Sequence, residues 1–103
     1  MKKVLVLGSG AREVAITRSV SQSSIKNVIF CISKDINPQI DDLCEDYHVC
    51  DVSDVASVVS YSRKKEIDLA IVGPENPLAC GVVNALEHAG VRCVGPKKEV
   101  AMI

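Results

Sequence analysis

The chain has 103 residues, enough for one small domain with a modest core. Hydrophobic residues make up 48% and aromatics only 3%, which excludes disorder and leaves a core to be built from Val, Ile, Leu, Ala and Cys. A net charge of −1 gives no electrostatic footprint for nucleic acid, and no apolar run approaches membrane-span length, so neither is expected as a partner.

Val4–Leu7 reads as a strand buried on both faces. Residues 11–22 follow with a helical pattern that places Ala15, Ile16, Ser19 and Val20 on one side. Val28–Ile32 is a second buried strand. In residues 33–46, Pro38 breaks any long element, and Ile36, Ile40 and Leu43 fit one short helix. Tyr47–Val49 is a short strand. Ser53 or Asp54 caps a helix with Val55, Val58, Val59 and Ser62 on one face, ending near Lys65. Arg63, Lys64 and Lys65 then sit at the negative end of its dipole. Asp68–Val72 is the next strand. Asn76 suits an N-cap, Pro77 the first helical position and Gly90 the C′ position; Leu78, Val82, Ala85, Leu86 and Ala89 form the stripe between them. Val91–Val94 is the last strand, followed by Gly95-Pro96 and the start of a further helix from Lys97.

This alternation implies an α/β fold, a Rossmann-like, mainly parallel sheet with helices on both faces, forming a single domain over residues 1–103. A helix begun just before Ile103 reads as the front of a longer polypeptide.

Two loops carry the chemistry. Gly8, Ser9, Gly10, Ala11, Arg12 and Glu13 follow the first strand. Gly73, Pro74, Glu75, Asn76, Pro77 and Leu78 follow the Asp68–Val72 strand. Both are expected at the carboxyl ends of strands, where open α/β sheets bind ligands. Gly8 and Gly10 let the backbone approach a ligand, and the next helix offers unpaired N–H groups; a plain strand-to-helix turn would also use them. The dinucleotide fingerprint wants a small residue where Glu13 stands, and an acid at the end of the second strand where Ile32-Ser33 stands. A Glu in the first helical turn suits the dipole, whereas Arg12 there needs an anionic ligand or a carboxylate partner. Pro74 stiffens the second loop and presents Glu75, which can bond sugar hydroxyls or an ammonium, or can simply cap the helix. Pro77 and Leu78 seat that helix.

The five cysteines include no C-x-x-C pair or zinc spacing and suggest a reducing compartment. Cys31 and Cys93 fall in strands; Cys44 and Cys50 flank one and can be half-exposed, where a redox role is conceivable. His48 and His88 have no triad or metal-ligand neighbours. The acids between Asp41 and Asp54 read as a solvated face. No metal site is expected within the chain. The four apolar residues before Gly8 are too few for a signal segment, which points to a cytoplasmic protein.

At the two loops the sequence resembles the phosphoribosylamine–glycine ligase family, also called glycinamide ribonucleotide synthetases. Gly8-Ser9-Gly10-Ala11-Arg12-Glu13-Val14-Ala15 is similar to its G-x-G-G-R-E-H-A loop. Ile67 through Val83 is similar to I-D-L-x-I-V-G-P-E-x-P-L-x-x-G-V-V, and Gly90 through Pro96 to a third block. Ala11 and Val14 depart from the pattern, and Cys31-Ile32-Ser33-Lys34-Asp35 stands where the family has a P-G-N-A-G-T-like stretch. The resemblance implies the pre-ATP-grasp domain of a carbon–nitrogen ligase of purine biosynthesis, which joins glycine to 5-phosphoribosylamine. It implies substrate binding by Gly8, Ser9, Gly10, Ala11, Arg12, Glu13, Gly73, Pro74, Glu75, Pro77 and Leu78. ATP and Mg2+ (or Mn2+) would be bound by downstream ATP-grasp domains, with no cofactor within residues 1–103 and no activity of these residues alone. The rival readings are an NAD-binding oxidoreductase domain and a non-catalytic nucleotide-binding module.

Overall fold

A computed structural model describes residues 2–8, 10–22, 26–51, 54–72 and 79–94. The elements alternate as expected: β1 (Lys2–Leu7), α1 (Ala11–Ser21), β2 (Asn27–Ser33), α2 (Pro38–Asp41), β3 (Asp46–Val49), α3 (Val55–Lys65), β4 (Leu69–Val72), α4 (Ala79–His88) and β5 (Arg92–Val94). The strands form one sheet in the order β3-β2-β1-β4-β5, and every neighbouring pair is parallel.

Alternation along the strands sorts side chains between two layers. Val4, Val6, Ile29, Leu69 and Ile71 meet Ile16 and Val20 of α1 on one face, and Cys31 meets Val14 and Ile40 beside them. Leu5, Leu7, Phe30, Ile32, Ala70 and Val72 meet Val58 and Tyr61 of α3 and Val82 and Leu86 of α4 on the other. Each such aliphatic side chain stabilises the fold by roughly 1.5–3 kcal/mol through removal from water.

Local signals account for most of the boundaries. Asp54 caps α3 by accepting from Ser57 N at 3.2 Å and from Ser57 Oγ at 2.8 Å. Asn37 caps α2 by accepting from Gln39 N at 3.0 Å, so Pro38 starts that helix rather than interrupting one. Gly90, at φ +89°, follows α4 as a residue tolerating the left-handed region should. The expected α4 cap at Asn76 and the helix from Lys97 lie outside the described residues.

Two expectations are corrected, and one helix end carries a feature the sequence does not mark. Ala15 and Ser19 of α1 are exposed, and Thr17 is buried beside Ile16 and Val20 instead. Thr17 Oγ1 donates to Glu13 O at 2.7 Å, so its hydroxyl goes inside already paired. Ile36 is 58% exposed rather than lining α2, because the helix begins two residues after it. The C-cap of α3 is Glu66 at φ 57°, a left-handed position filled by a non-glycine residue.

At the amino ends of the strands, Asp68 ties three of them together. Its carboxylate accepts from Lys3 N at 2.9 Å, its own N–H donates to Lys3 O at 2.9 Å, and its carbonyl accepts from Arg92 N at 3.4 Å.

Candidate functional site

The order β3-β2-β1-β4-β5 has one point where the chain changes direction across the sheet, between β1 and β4. From β1 the chain builds outward through β2 to β3, then returns over the sheet to β4. Ligands of open α/β sheets bind in the crevice outside the carboxyl ends of the strands at such a point. Leu7 and Val72 are register partners there. β1 and β4 therefore end at the same level on adjacent parallel strands. Gly73, Pro74, Glu75, Pro77 and Leu78 lie outside the described residues, as does Ser9. So do the side chains of Ala11 and Arg12, whose backbones open α1.

Gly8 extends the β1 ladder by one bond, donating from its N–H to Ile32 O at 2.9 Å. It then turns at φ +122°, a region that essentially only glycine occupies. Gly10 has extended backbone at φ −77°, ψ 178° and caps α1 without a side-chain acceptor. Its carbonyl takes the first helical bond, from Val14 N at 3.0 Å.

Glu13 fills the concavity of this turn. A Cβ at Gly8 would stand 2.9 Å from Glu13 Cδ, and one at Gly10 would stand 3.2 Å from Glu13 Oε2. The carboxylate folds back over both glycines from the first turn of α1, where the helix dipole favours a negative charge. The carboxylate there is an acceptor, suited to an ammonium or hydroxyl.

Beneath the turn, Cys31 Sγ donates to Gly8 O at 3.3 Å. The Cys31 thiol is held well above its usual range, first by the neighbouring Cys44 sulfur and then by burial.

A third loop, between β2 and α2, is fixed at the same end of the sheet. The Tyr47 hydroxyl donates to Asp35 O at 2.7 Å and accepts from Asn37 N at 3.2 Å. Ser33 Oγ contacts both the Tyr47 hydroxyl and Asp35 O. Burial pushes the Tyr47 phenol up, with the Ser33 and Asn37 bonds opposing it. Sequence reasoning missed Ser33 and Tyr47 as loop organisers. The available signal was Tyr47, one of two tyrosines in a chain poor in aromatics, placed on a strand with its polar tip needing a partner.

Other candidates are structural. His48 stacks on Tyr61 with ring centroids 4.7 Å apart, and Tyr61 donates to Asp46 Oδ2 at 2.6 Å. His88 lies in the last turn of α4. Asp41, Asp42, Glu45, Asp51 and Asp54 are exposed, as a solvated face requires. Among the described residues no group of three or more His, Cys, Asp or Glu side chains could hold a metal ion, and no helix is long and apolar enough to cross a membrane.

Solved structures share this architecture. A glycinamide-RNase-transformylase T from Mycobacterium tuberculosis superposes with a TM-score of 0.73 over 89% of this chain and 28% of its own, at 12% identity. A saccharopine dehydrogenase from Saccharomyces cerevisiae gives 0.73 over 92% of this chain and 21% of its own, at 16% identity. An N5-carboxyaminoimidazole ribonucleotide synthetase from Thermotoga maritima gives 0.68 over 100% of this chain and 27% of its own, at 13% identity. A transformylase, a dehydrogenase and a synthetase are thus alike here, and the fold does not choose between them.

Sequence does. The phosphoribosylamine–glycine ligase of Methanococcoides burtonii is 44% identical over 97% of this chain and 23% of its own length. That of Pyrococcus furiosus is 41% identical over 100% of this chain and 23% of its own. The trifunctional purine biosynthetic protein adenosine-3 of Drosophila pseudoobscura is 40% identical over 97% of this chain and 8% of its own. The chain thus spans about a quarter of the single-function relatives. The model of the phosphoribosylglycinamide synthetase N domain matches residues 2–103, and the chain belongs to that family.

Proposed function

We propose that residues 1–103 are the substrate-binding first domain of a phosphoribosylamine–glycine ligase, and that the crevice outside β1 and β4 forms one wall of the phosphoribosylamine site. The observation that supports this reading is the register pairing of Leu7 with Val72 at the sheet's reversal point, because the two family-like segments follow these paired residues in sequence. Glu13, and in our reading Glu75, present carboxylates to the amine and hydroxyls of the sugar. Backbone N–H groups of Gly8, Ser9, Gly10 and Ala11 meet its oxygen atoms. Arg12 balances the two acids, while Gly73, Pro74, Pro77 and Leu78 hold Glu75 at the rim.

The reaction proposed for the whole polypeptide joins glycine to 5-phosphoribosylamine. ATP and Mg2+ (or Mn2+), held by domains beyond this one, would supply the activated glycine carboxylate. The residues here bind and orient the amine that attacks it, and are inactive alone. A cytoplasmic location follows from the same metabolic role.

A dinucleotide site fits less well. Its pyrophosphate would lie against the glycine turn, where the Glu13 carboxylate already stands. A stand-alone nucleotide-binding module has no observation in its favour.

Glu75→Ala in the complete enzyme tests the reading. Losing a charged hydrogen bond of about 1.5–3 kcal/mol should lower kcat/KM for phosphoribosylamine by roughly 10- to 100-fold and leave the KM for ATP within about twofold. Unchanged KM and kcat for phosphoribosylamine would overturn it.

A further inference from the structure

We propose that Lys34 is a specificity residue of the crevice, whose ammonium holds the phosphate group of the substrate. The inference rests on the phosphoribosylamine reading above and adds the residue that tells a phosphorylated sugar from a plain one. Ile32 is the register partner of Leu7, and the Gly8 N–H donates to Ile32 O at 2.9 Å. Ser33 closes β2, and Lys34 is the next residue. The segment from Lys34 therefore leaves β2 beside the glycine turn that follows β1. Neighbouring strands lie about 4.8 Å apart, a gap that a four-carbon stem ending in an ammonium spans. The Lys34 side chain is exposed, and no ion pair engages it among the described residues.

Its position is unusual for a cation of this chain. Lys2, Lys3, Lys26 and Arg92 stand at the amino ends of strands. Arg18 and the Arg63–Lys65 run lie in the last turns of α1 and α3, helices that return the chain toward that end. Among the lysine and arginine side chains described, Lys34 alone follows the carboxyl end of a strand, where open α/β sheets take their ligands. A phosphate monoester carries about −1.5 to −2 charges at pH 7 and needs such a cation. The Glu13 carboxylate over Gly8 repels that group and attracts an amine or hydroxyl. Acid and ammonium thus give the crevice a polarity, and a sugar carrying an amine and a phosphate is oriented by both.

The backbone beneath Lys34 is fixed before any ligand arrives. The Tyr47 hydroxyl donates to Asp35 O at 2.7 Å and accepts from Asn37 N at 3.2 Å, and Ser33 Oγ contacts the same hydroxyl. Lys34 lies between two residues of this clamp, so binding need order only its side chain and not the loop. The P-G-N-A-G-T-like stretch of the family has no basic residue, so the ammonium is this chain's own.

The test compares phosphoribosylamine with ribosylamine, which has a hydroxyl in place of the phosphate, as substrates of the complete enzyme. Lys34→Ala should raise the KM for phosphoribosylamine about tenfold at unchanged kcat, and leave the KM for ribosylamine, glycine and ATP within about twofold. Lys34→Arg should keep the preference, because a guanidinium also holds a phosphate. Ribose 5-phosphate, as a competitive inhibitor, should weaken about tenfold against Lys34→Ala, a binding readout that needs no turnover of the inhibitor. The urea midpoint of Lys34→Ala should match that of the wild type, since the side chain is exposed. Equal losses on both substrates, or a loss on neither, would overturn the role of Lys34 and leave the phosphoribosylamine reading standing. A wild-type enzyme that fails to turn over phosphoribosylamine would overturn that reading, and this inference with it.

Discussion

The carboxylate of Glu13 lies over the Cα of Gly8, so close that a Cβ there would stand 2.9 Å from Glu13 Cδ. A loop glycine and a first-turn acid thus form one packing unit.

Gly8→Ala should therefore be costly on two counts. The backbone at φ +122° carries strain for any L side chain, of order 1–3 kcal/mol, and the new methyl displaces Glu13. Urea unfolding should show a loss of about 2 kcal/mol or more. Adding Glu13→Ala should recover only the packing share, a non-additive result readable in a double-mutant cycle.

Tyr47→Phe removes the hydroxyl that holds Asp35 O and Asn37 N. The expected loss is about 1 kcal/mol, concentrated locally. Faster hydrogen exchange at the Asn37 amide, with β1 amides unaffected, is the signature to look for.

Glu66→Gly should stabilise the domain. Glu66 occupies φ 57°, where a side chain costs about 1 kcal/mol, and its ion pair with Lys3 Nζ at 3.5 Å is 83% exposed on the Glu66 side. A gain of about 0.5–1 kcal/mol in thermal or urea unfolding is expected; a loss would mean that the exposed pair matters more than its surroundings allow.

Alkaline pH should weaken the fold in two stages. The Cys93 thiol is raised from 9.0 to about 11, chiefly by burial. Its contribution is intact below pH 9 and is lost as pH climbs through 11, because the unfolded chain releases that proton first. Tyr61 is raised well above its usual range, by burial and then by its bond to Asp46, so its loss begins near pH 10. Cys93→Val should shrink the loss that begins near pH 9, which the raised Cys31 and Cys50 thiols share, and Tyr61→Phe the loss that begins near pH 10, which Tyr47 shares, in stability curves taken from pH 8 to 11.5.

The positions of strands and helices along the chain were legible because the residues themselves mark them. Val4–Leu7 and Leu69–Val72 are unbroken apolar runs, and Asp54, Pro38 and Gly90 sit at helix ends where their chemistry belongs. The buried side of α1 was misread because Thr17 counts as polar in any pattern, while its hydroxyl is satisfied by Glu13 O inside the helix. The Glu66 cap escaped notice since nothing in Lys65-Glu66-Ile67 signals a left-handed residue. Of the candidate site, the glycines and Glu13 were legible as a motif. The contacts of Cys31, Ser33 and Tyr47 join residues up to 23 positions apart, and only folding brings them together.

Asp68 fastens β1, β4 and β5 at the rim opposite the glycine turn. Durability thus resides at one pole of the sheet and the recognition we propose at the other. Under that proposal, loops at the glycine-turn pole could be exchanged for those of a kindred synthetase while the seam at the other pole keeps the strands in step.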